Sequence, residues 1–383
     1  MSENTSSKID VINGLRGLSI LGVLYHHSLA YYTPPGWRGI EAGGLSLSPI
    51  PFLANGWMSV NLFFLLSGFV LYLPYAQGAR RLETRSDLAA FYKRRWLRLM
   101  PLFYFCLAVS WIFFYHPHPV QPRDWLDLLI LGSTGFVFSE RLFFPPCNWV
   151  LWSLGVEIWF SLVFPLLVVA VKRIGWWRLL TGVCLLALGV RFWGTWADPN
   201  PRLSPYLNYI KDSLAGRLDD FAVGMLLAFL FLRAGKAVTL GRRYSRVLVM
   251  AGFLICVAAS VMWDNIVLGR ISWIVKPFTN LVLDAGLGLL LWGALGLPPG
   301  LWRGLLECRP LQVVGMMCYS LYVWHMIVIY RVVAQPAYFD AVHMITSLVL
   351  LLIVAGLTYR YIEFGHVRDW RGLFLWPRPA RSS

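Results

Sequence analysis

Two ionisable residues interrupt the first apolar run of the chain. The run at about 11–31 holds Arg16, in Asn13-Gly14-Leu15-Arg16-Gly17-Leu18, and His27, in Tyr25-His26-His27-Ser28. They are eleven residues apart. In a helix that is about three full turns, so both side chains share one face, about 16 Å apart along the axis. A guanidinium suits a phosphate or carboxylate. A histidine has the right pKa to take a proton from a hydroxyl. A ligand with a phosphate end and a long reactive arm would span the gap, and coenzyme A thioesters have that shape. The plainer reading is that Arg16 snorkels to the interface and His27 bonds a neighbouring helix. On these two residues alone the readings balance.

A second basic group, Lys93-Arg94-Arg95-Trp96-Leu97-Arg98, opens another apolar run. Arg94 and Arg98, or Arg95 and Arg98, are helix-face neighbours. They would anchor the span at the cytoplasmic face, the weightier reading for this string alone, or clamp the nucleotide end of a cofactor. Further polar residues inside apolar runs are Asn61, Asn148, Ser153, Glu157, Arg217 with Asp219 and Asp220, and His325. They are expected toward the outer half. Helix-to-helix hydrogen bonding accounts for the Asn and Ser residues. A structural ion pair accounts for Arg217. An unpaired Glu157 would cost several kcal/mol, so it must pair with an Arg or His or orient a substrate.

The elements that would hold these residues follow from composition. Of 383 residues, 58% are hydrophobic and only 14% charged, against roughly 25% charged in a soluble domain. That excludes a disordered chain, a nucleic-acid-binding domain and an ordinary soluble enzyme; lipid is the expected solvent. Ten runs approach spanning length: 11–31, 55–77, 100–116, 149–171, 178–196, 217–233, 246–263, 279–297, 311–330 and 342–361. An eleventh, 125–138, is shorter and reads as a re-entrant or interfacial piece. With the N-terminus inside and that run not crossing, 23 of the 34 Lys and Arg residues fall on cytoplasmic segments and 8 on outer ones. The excess supports ten spans with both termini cytoplasmic. The fold expected is an all-α, polytopic helix bundle over 1–363, with a short basic tail, 364–383. The six Cys residues show neither a disulfide nor a zinc spacing, so no metal site is expected. The first run lacks a cleavage site and is read as a retained span.

Taken in order, these strings resemble the membrane-bound acyltransferase-3 family, which includes bacterial glycan O-acetyltransferases and macrolide O-acyltransferases. Arg16 with His27 is similar to the family's Arg-x10-His signature. Phe63-Phe64-Leu65-Leu66-Ser67-Gly68-Phe69 resembles its Phe-Phe-x-x-Ser-Gly-Phe string, and Arg95-x-x-Arg98 its Arg-x-x-Arg motif. Trp152-Ser153-Leu154 to Glu157, Tyr319-Ser320-Leu321-Tyr322 to His325, and Tyr359 to Glu363 resemble its later signatures. Asn13 and Asn61 depart from it, standing where the family often has Asp. The fused C-terminal hydrolase-type domain common in the family is not expected here.

The resemblance implies acyl transfer, usually of acetyl, from acyl-CoA to a hydroxyl, in the bacterial cytoplasmic membrane. His27, Arg16 and Glu157 are the candidate catalytic residues, with His27 as general base or transient acyl carrier. Arg94, Arg95 and Arg98 are the candidates for holding acyl-CoA. Asn61, Ser153, Arg217, Asp219 and His325 are the candidates for an acceptor: a carbohydrate, glycolipid or macrolide-like molecule. No permanently bound cofactor is expected. The competing class is a transporter or flippase for a lipid-linked sugar; acyl-CoA binding separates the two.

Overall fold

The computed structural model describes residues 3–28, 40–47, 55–115, 121–198, 208–233, 235–333 and 340–364. Of the expected tail, 364–383, residues 365–383 lie outside them. Each expected run coincides with a helix. They are α1 (Glu3–Ser28), α2 (Ser59–Ala76), α3 (Arg85–Val109), α5 (Leu151–Ile174), α6 (Trp176–Trp196), α7 (Leu214–Arg233), α8 (Gly235–Val267), α9 (Phe278–Gly296), the pair α11 (Arg309–Met316) and α12 (Cys318–Ile327), and α13 (Ala341–Thr358). The shorter α4 (Pro122–Gly132) and α10 (Leu301–Leu306) connect them. The described strands are a hairpin, β1 (Ile40–Ala42) with β2 (Leu45–Leu47).

Seven helices are long and apolar enough to cross a membrane, and α11 with α12, bent by 71°, makes an eighth. The ten expected spans include two that fall outside this group, α1 and α7. Both have spanning length, 26 and 20 residues, but they carry Arg16 with His27, and Arg217 with Asp219 and Asp220. What sets them apart is the polar and charged residues that make them chemically interesting. The eleventh run forms α4, 11 residues long, or about 16 Å, too short for a hydrocarbon core of about 30 Å. Trp125, Leu126 and Leu129 are exposed on it, while Asp127 is buried and paired with Arg141. The hydrogen bonds from Arg141 hold Asp127 below the usual carboxylate range.

Three helices run on into a π-helical turn, at Ser110–Phe114, Val328–Val332 and Tyr359–Glu363. The last carries Glu363 inward, where it is 2% exposed.

Close backbone approach sets the registers. Gly68 on α2 lies against the carbonyl of Phe221 on α7, and Gly224 on α7 against that of Leu65 on α2. Gly315 on α11 meets the Asn13 carbonyl of α1 in the same way. Small residues allow this contact where lipid supplies no hydrophobic drive between helices. Phe221, between Phe64 and Phe160 at centroid distances of 4.6 and 3.9 Å, fills the space beside the α2–α7 contact.

A Gly224→Leu change places a side chain into the Leu65 backbone. It is expected to cost about 1–3 kcal/mol or more and lower the melting temperature in detergent. Gly182→Leu on α6, where nothing lies within 4 Å, leaves the melt unchanged or raised.

Candidate active site

Val60, Phe63, Phe64 and Ser67 occupy one face of α2 at helical spacing, and all four line a cavity of about 90 Å³. Asn61, one position round the helix, faces away. The polar wall of the cavity comes from four other helices: Arg16 on α1, Arg95 and Arg98 on α3, Ser153 and Glu157 on α5, and Tyr322 on α12. The two arginines of α3 reach the cavity because they lie three residues apart. Arg94 is exposed and outside it.

Arg95 donates from Nη2 to Glu157 Oε1 at 3.2 Å and from Nε to Ser161 at 2.9 Å. Ser67 donates to the same Glu157 oxygen at 3.2 Å. Arg98 pairs with Glu363, whose second oxygen accepts from Ser320 at 2.7 Å. Ser153 and the Tyr322 hydroxyl are joined at 2.7 Å. Arg16 differs from its neighbours: half-buried in the wall, it has no ion-pair or hydrogen-bond partner among the described residues. It is the cavity's available positive charge.

Beyond Tyr322 lies a histidine cluster. The His27 ring sits 5.1 Å from His325 and 5.5 Å from Trp149, centroid to centroid. His325 Nδ1 is 2.5 Å from the Tyr322 carbonyl oxygen. That contact assigns the proton to Nδ1 and leaves Nε2 as an acceptor. His325 is fully buried, and its Nε2 has no partner. The His27 ring makes no hydrogen bond among the described residues; Tyr330 instead donates to its backbone carbonyl at 2.9 Å.

Trp149 and Tyr330 also line a second cavity, of about 380 Å³, with Asn148, Cys147 and Arg331 in its wall. Burial pushes the Cys147 thiol up to about 12. It stays protonated and is no acyl-accepting nucleophile at neutral pH. The histidine pair thus lies between the aromatic wall of one cavity and Tyr322 of the other. The continuous helix α1 links both, carrying Arg16 at one and His27 at the other.

The acyltransferase-3 family, described as "Acyltransferase domain", matches residues 9–360. The chain belongs to that family. It is 24% identical over 379 residues to the O-acetyltransferase OatA of Staphylococcus aureus, covering 92% of this chain and 56% of that protein. It is likewise 24% identical over 369 residues to the peptidoglycan O-acetyltransferase OatA of Listeria monocytogenes, covering 92% and 54%. The chain spans about half the length of these curated relatives. No solved structure matches it.

Within this acyltransferase-3 domain the expected site residues divide into groups. Arg16, Arg95, Arg98, Ser153 and Glu157 share the first cavity. His325 joins His27. Glu157, expected to pair with an Arg or His or to orient a substrate, pairs with Arg95. Asn61, Arg217 and Asp219 belong to a separate buried network. There Arg217 donates to Asp212 at 2.5 and 2.9 Å, to Asn280 at 2.8 Å and to Asn61 at 3.1 Å. Asp219 accepts two bonds from Arg191, at 2.6 and 3.0 Å.

Sequence reasoning passed over Glu363, Ser67, Tyr322, Trp149 and Tyr330. The first three sit in the quoted family strings, so a signal existed. Trp149 and Tyr330 looked like ordinary interfacial aromatics.

The Arg191–Asp219 pair is at most 6% exposed on either side. Removing one member leaves an uncompensated buried charge. Arg191→Met is expected to destabilise by about 3–5 kcal/mol, read as a lowered melt in detergent. The Arg191→Met/Asp219→Leu double change should recover much of that loss.

Proposed function

We propose that this chain is a membrane O-acyltransferase that moves a short acyl group, acetyl first among them, from acyl-CoA to a hydroxyl of a carbohydrate acceptor. One observation carries the reading: a histidine pair between an arginine-walled cavity and an aromatic-walled one, on the helix that supplies both Arg16 and His27. The names of the OatA relatives support an O-acetyl product and a peptidoglycan-like acceptor.

The donor enters at the arginine end. The unpaired guanidinium of Arg16 takes an anionic group of acyl-CoA. Arg95 and Arg98, held by Glu157 and Glu363, shape the wall. A cavity of about 90 Å³ favours a short acyl group over a long one. The excess of Lys and Arg on one set of loops supports the reading that this end faces the cytoplasm, at the bacterial inner membrane.

The acceptor occupies the larger cavity, with a sugar face against Trp149. His27 takes the hydroxyl proton as the oxygen attacks the thioester carbonyl. The carbon–sulfur bond then breaks, and the proton passes to the departing thiolate. CoA-SH and the O-acyl ester are the products. The free Nε2 of His325 beside His27 accepts a hydrogen bond from the transient imidazolium, the stabilisation a general base needs in an apolar site.

Purified protein in detergent, given acetyl-CoA and a soluble glycan, tests this. His27→Ala should lower kcat by about 10²–10⁴-fold with an unchanged melt. Arg16→Ala should raise KM for acetyl-CoA while kcat changes little. Wild-type turnover in His27→Ala would refute the assignment and turn attention to His26 and His325. No saturable binding of any short-chain acyl-CoA would leave the family match as fold alone.

A further inference from the structure

The larger cavity carries polar groups that the reaction described above leaves unused. One wall is built by α12 and the π-helical turn that follows it, Val328–Val332. Turns of this kind recur at functional sites. Here the turn sets Tyr330, which bonds the His27 carbonyl, beside Arg331 in the same wall. Arg331 is exposed, and it has neither an ion pair nor a hydrogen bond among the described residues. By contrast, Arg95, Arg98, Arg141, Arg191, Arg217 and Arg303 each meet a carboxylate. Among the described residues that line this cavity none is acidic. Its wall therefore keeps one uncompensated positive charge.

Asn148 supplies a second, independent observation. It lines the same cavity and is 3% exposed. Its Nδ2 donates to the Val323 carbonyl at 2.9 Å. That bond fixes the amide, because a flip would set two carbonyl oxygens against each other. Oδ1 is then a positioned acceptor, and no donor reaches it. A buried carbonyl oxygen left in this state is costly, and a ligand hydroxyl or amide N–H relieves it. Arg331 asks for the opposite partner. Its guanidinium presents parallel N–H donors that match a carboxylate or a phosphate. Trp149, 41% exposed in the same cavity, offers a ring face for the sugar itself. A neutral sugar would use Trp149 and Asn148 and leave Arg331 idle. An acidic sugar uses all three.

We propose that Arg331 and Asn148 select the acceptor. Arg331 takes an anionic substituent, a carboxylate or a phosphate, and Asn148 Oδ1 takes a hydroxyl or amide N–H of the same sugar. The acceptor class is then an acidic carbohydrate. This rests on the reading that the larger cavity holds the acceptor, and it is tested by binding alone, without the donor.

Binding of soluble probes is measured on the purified protein in a non-ionic detergent, without acyl-CoA and at fixed ionic strength, since salt screens an exposed charge. The probes form two pairs: a hexuronic acid trimer with its carboxyl-reduced neutral form, and a hexose monophosphate with the free hexose. In at least one pair the wild type should bind the anionic member about tenfold tighter or more. Arg331→Gln should weaken the anionic member until the pair lies within about twofold. Arg331→Lys keeps the charge but loses the fork, and should keep part of the preference. Asn148→Ala should weaken both members alike, by about tenfold, and leave the preference in place. A preference in the uronate pair assigns the anion to a carboxyl on the glycan, and one in the phosphate pair to a phosphorylated sugar; either supports the proposal. Equal binding of charged and neutral probes by the wild type, or no binding of any probe, would overturn it. A preference that survives Arg331→Gln would overturn it too, and leave Arg331 as an anchor at the lipid headgroups. If the preference holds while acetyl-CoA neither binds nor turns over, the anionic-sugar site stands and the transfer reading fails.

Discussion

Charges within a helix bundle in lipid must find their partners inside the protein, and that constraint organises this molecule. An unpaired ion in such surroundings costs several kcal/mol, with no water to screen it. Each buried arginine here therefore reaches across to another helix. Arg95 on α3 meets Glu157 on α5, and Arg98 on α3 meets Glu363 after α13. Arg191 on α6 meets Asp219 on α7. Arg217 on α7 reaches Asn61 on α2 and Asn280 on α9. Packing between apolar helices in lipid is weakly directional; these pairs fix which faces meet. The glycine contacts between α2 and α7 then let the backbones approach closely enough for the pairs to form.

Against that background the unpaired groups stand out. Among the described residues, Arg16 is a wall guanidinium without an ion pair, and His325 Nε2 is a buried acceptor without a donor. Both lie along the path between the two cavities. A bundle that satisfies its other arginines this thoroughly has room there for a ligand's anion and for a moving proton. Arg95 and Arg98 hold the opposite position. Their glutamate partners keep them rigid in the wall, preorganised without reorganisation when a ligand arrives.

Much of this was legible in the sequence, for identifiable physical reasons. Spanning runs report themselves through length and hydropathy, and all ten became helices. Arg16 and His27 could be placed on one face because a single continuous helix carries both. The pairing of residues far apart in the chain was not legible. Glu157 was expected to pair with an Arg or His, but that the partner is Arg95 was hidden, because nothing local tells a carboxylate which helix will face it. Arg94 and Arg95 are equivalent in sequence, yet only Arg95 turns inward, since Glu157 and Ser161 lie on that side. The bend between α11 and α12 was likewise hidden inside one apolar run. Glu363 faces inward in the turn after α13, a placement that apolar periodicity alone does not specify.

The two cavities differ in a way that bears on catalysis. The arginine-walled one is small and charged, and the aromatic-walled one is about four times larger. In the proposed reaction a donor bound by charge and an acceptor bound by stacking approach the same histidine from opposite ends without competing for one surface. In that proposed reaction a thioester in the smaller cavity would lie against Phe63, Phe64 and Leu99, apolar surroundings that disfavour its hydrolysis before the acceptor arrives. Transfer through a protein wall, instead of in an open cleft, fits a donor and an acceptor kept on different sides of a membrane. In the proposed reaction the bundle holds His27 beside His325 where the two substrates meet, and the ion pairs of Arg95 and Arg98 keep that meeting point fixed.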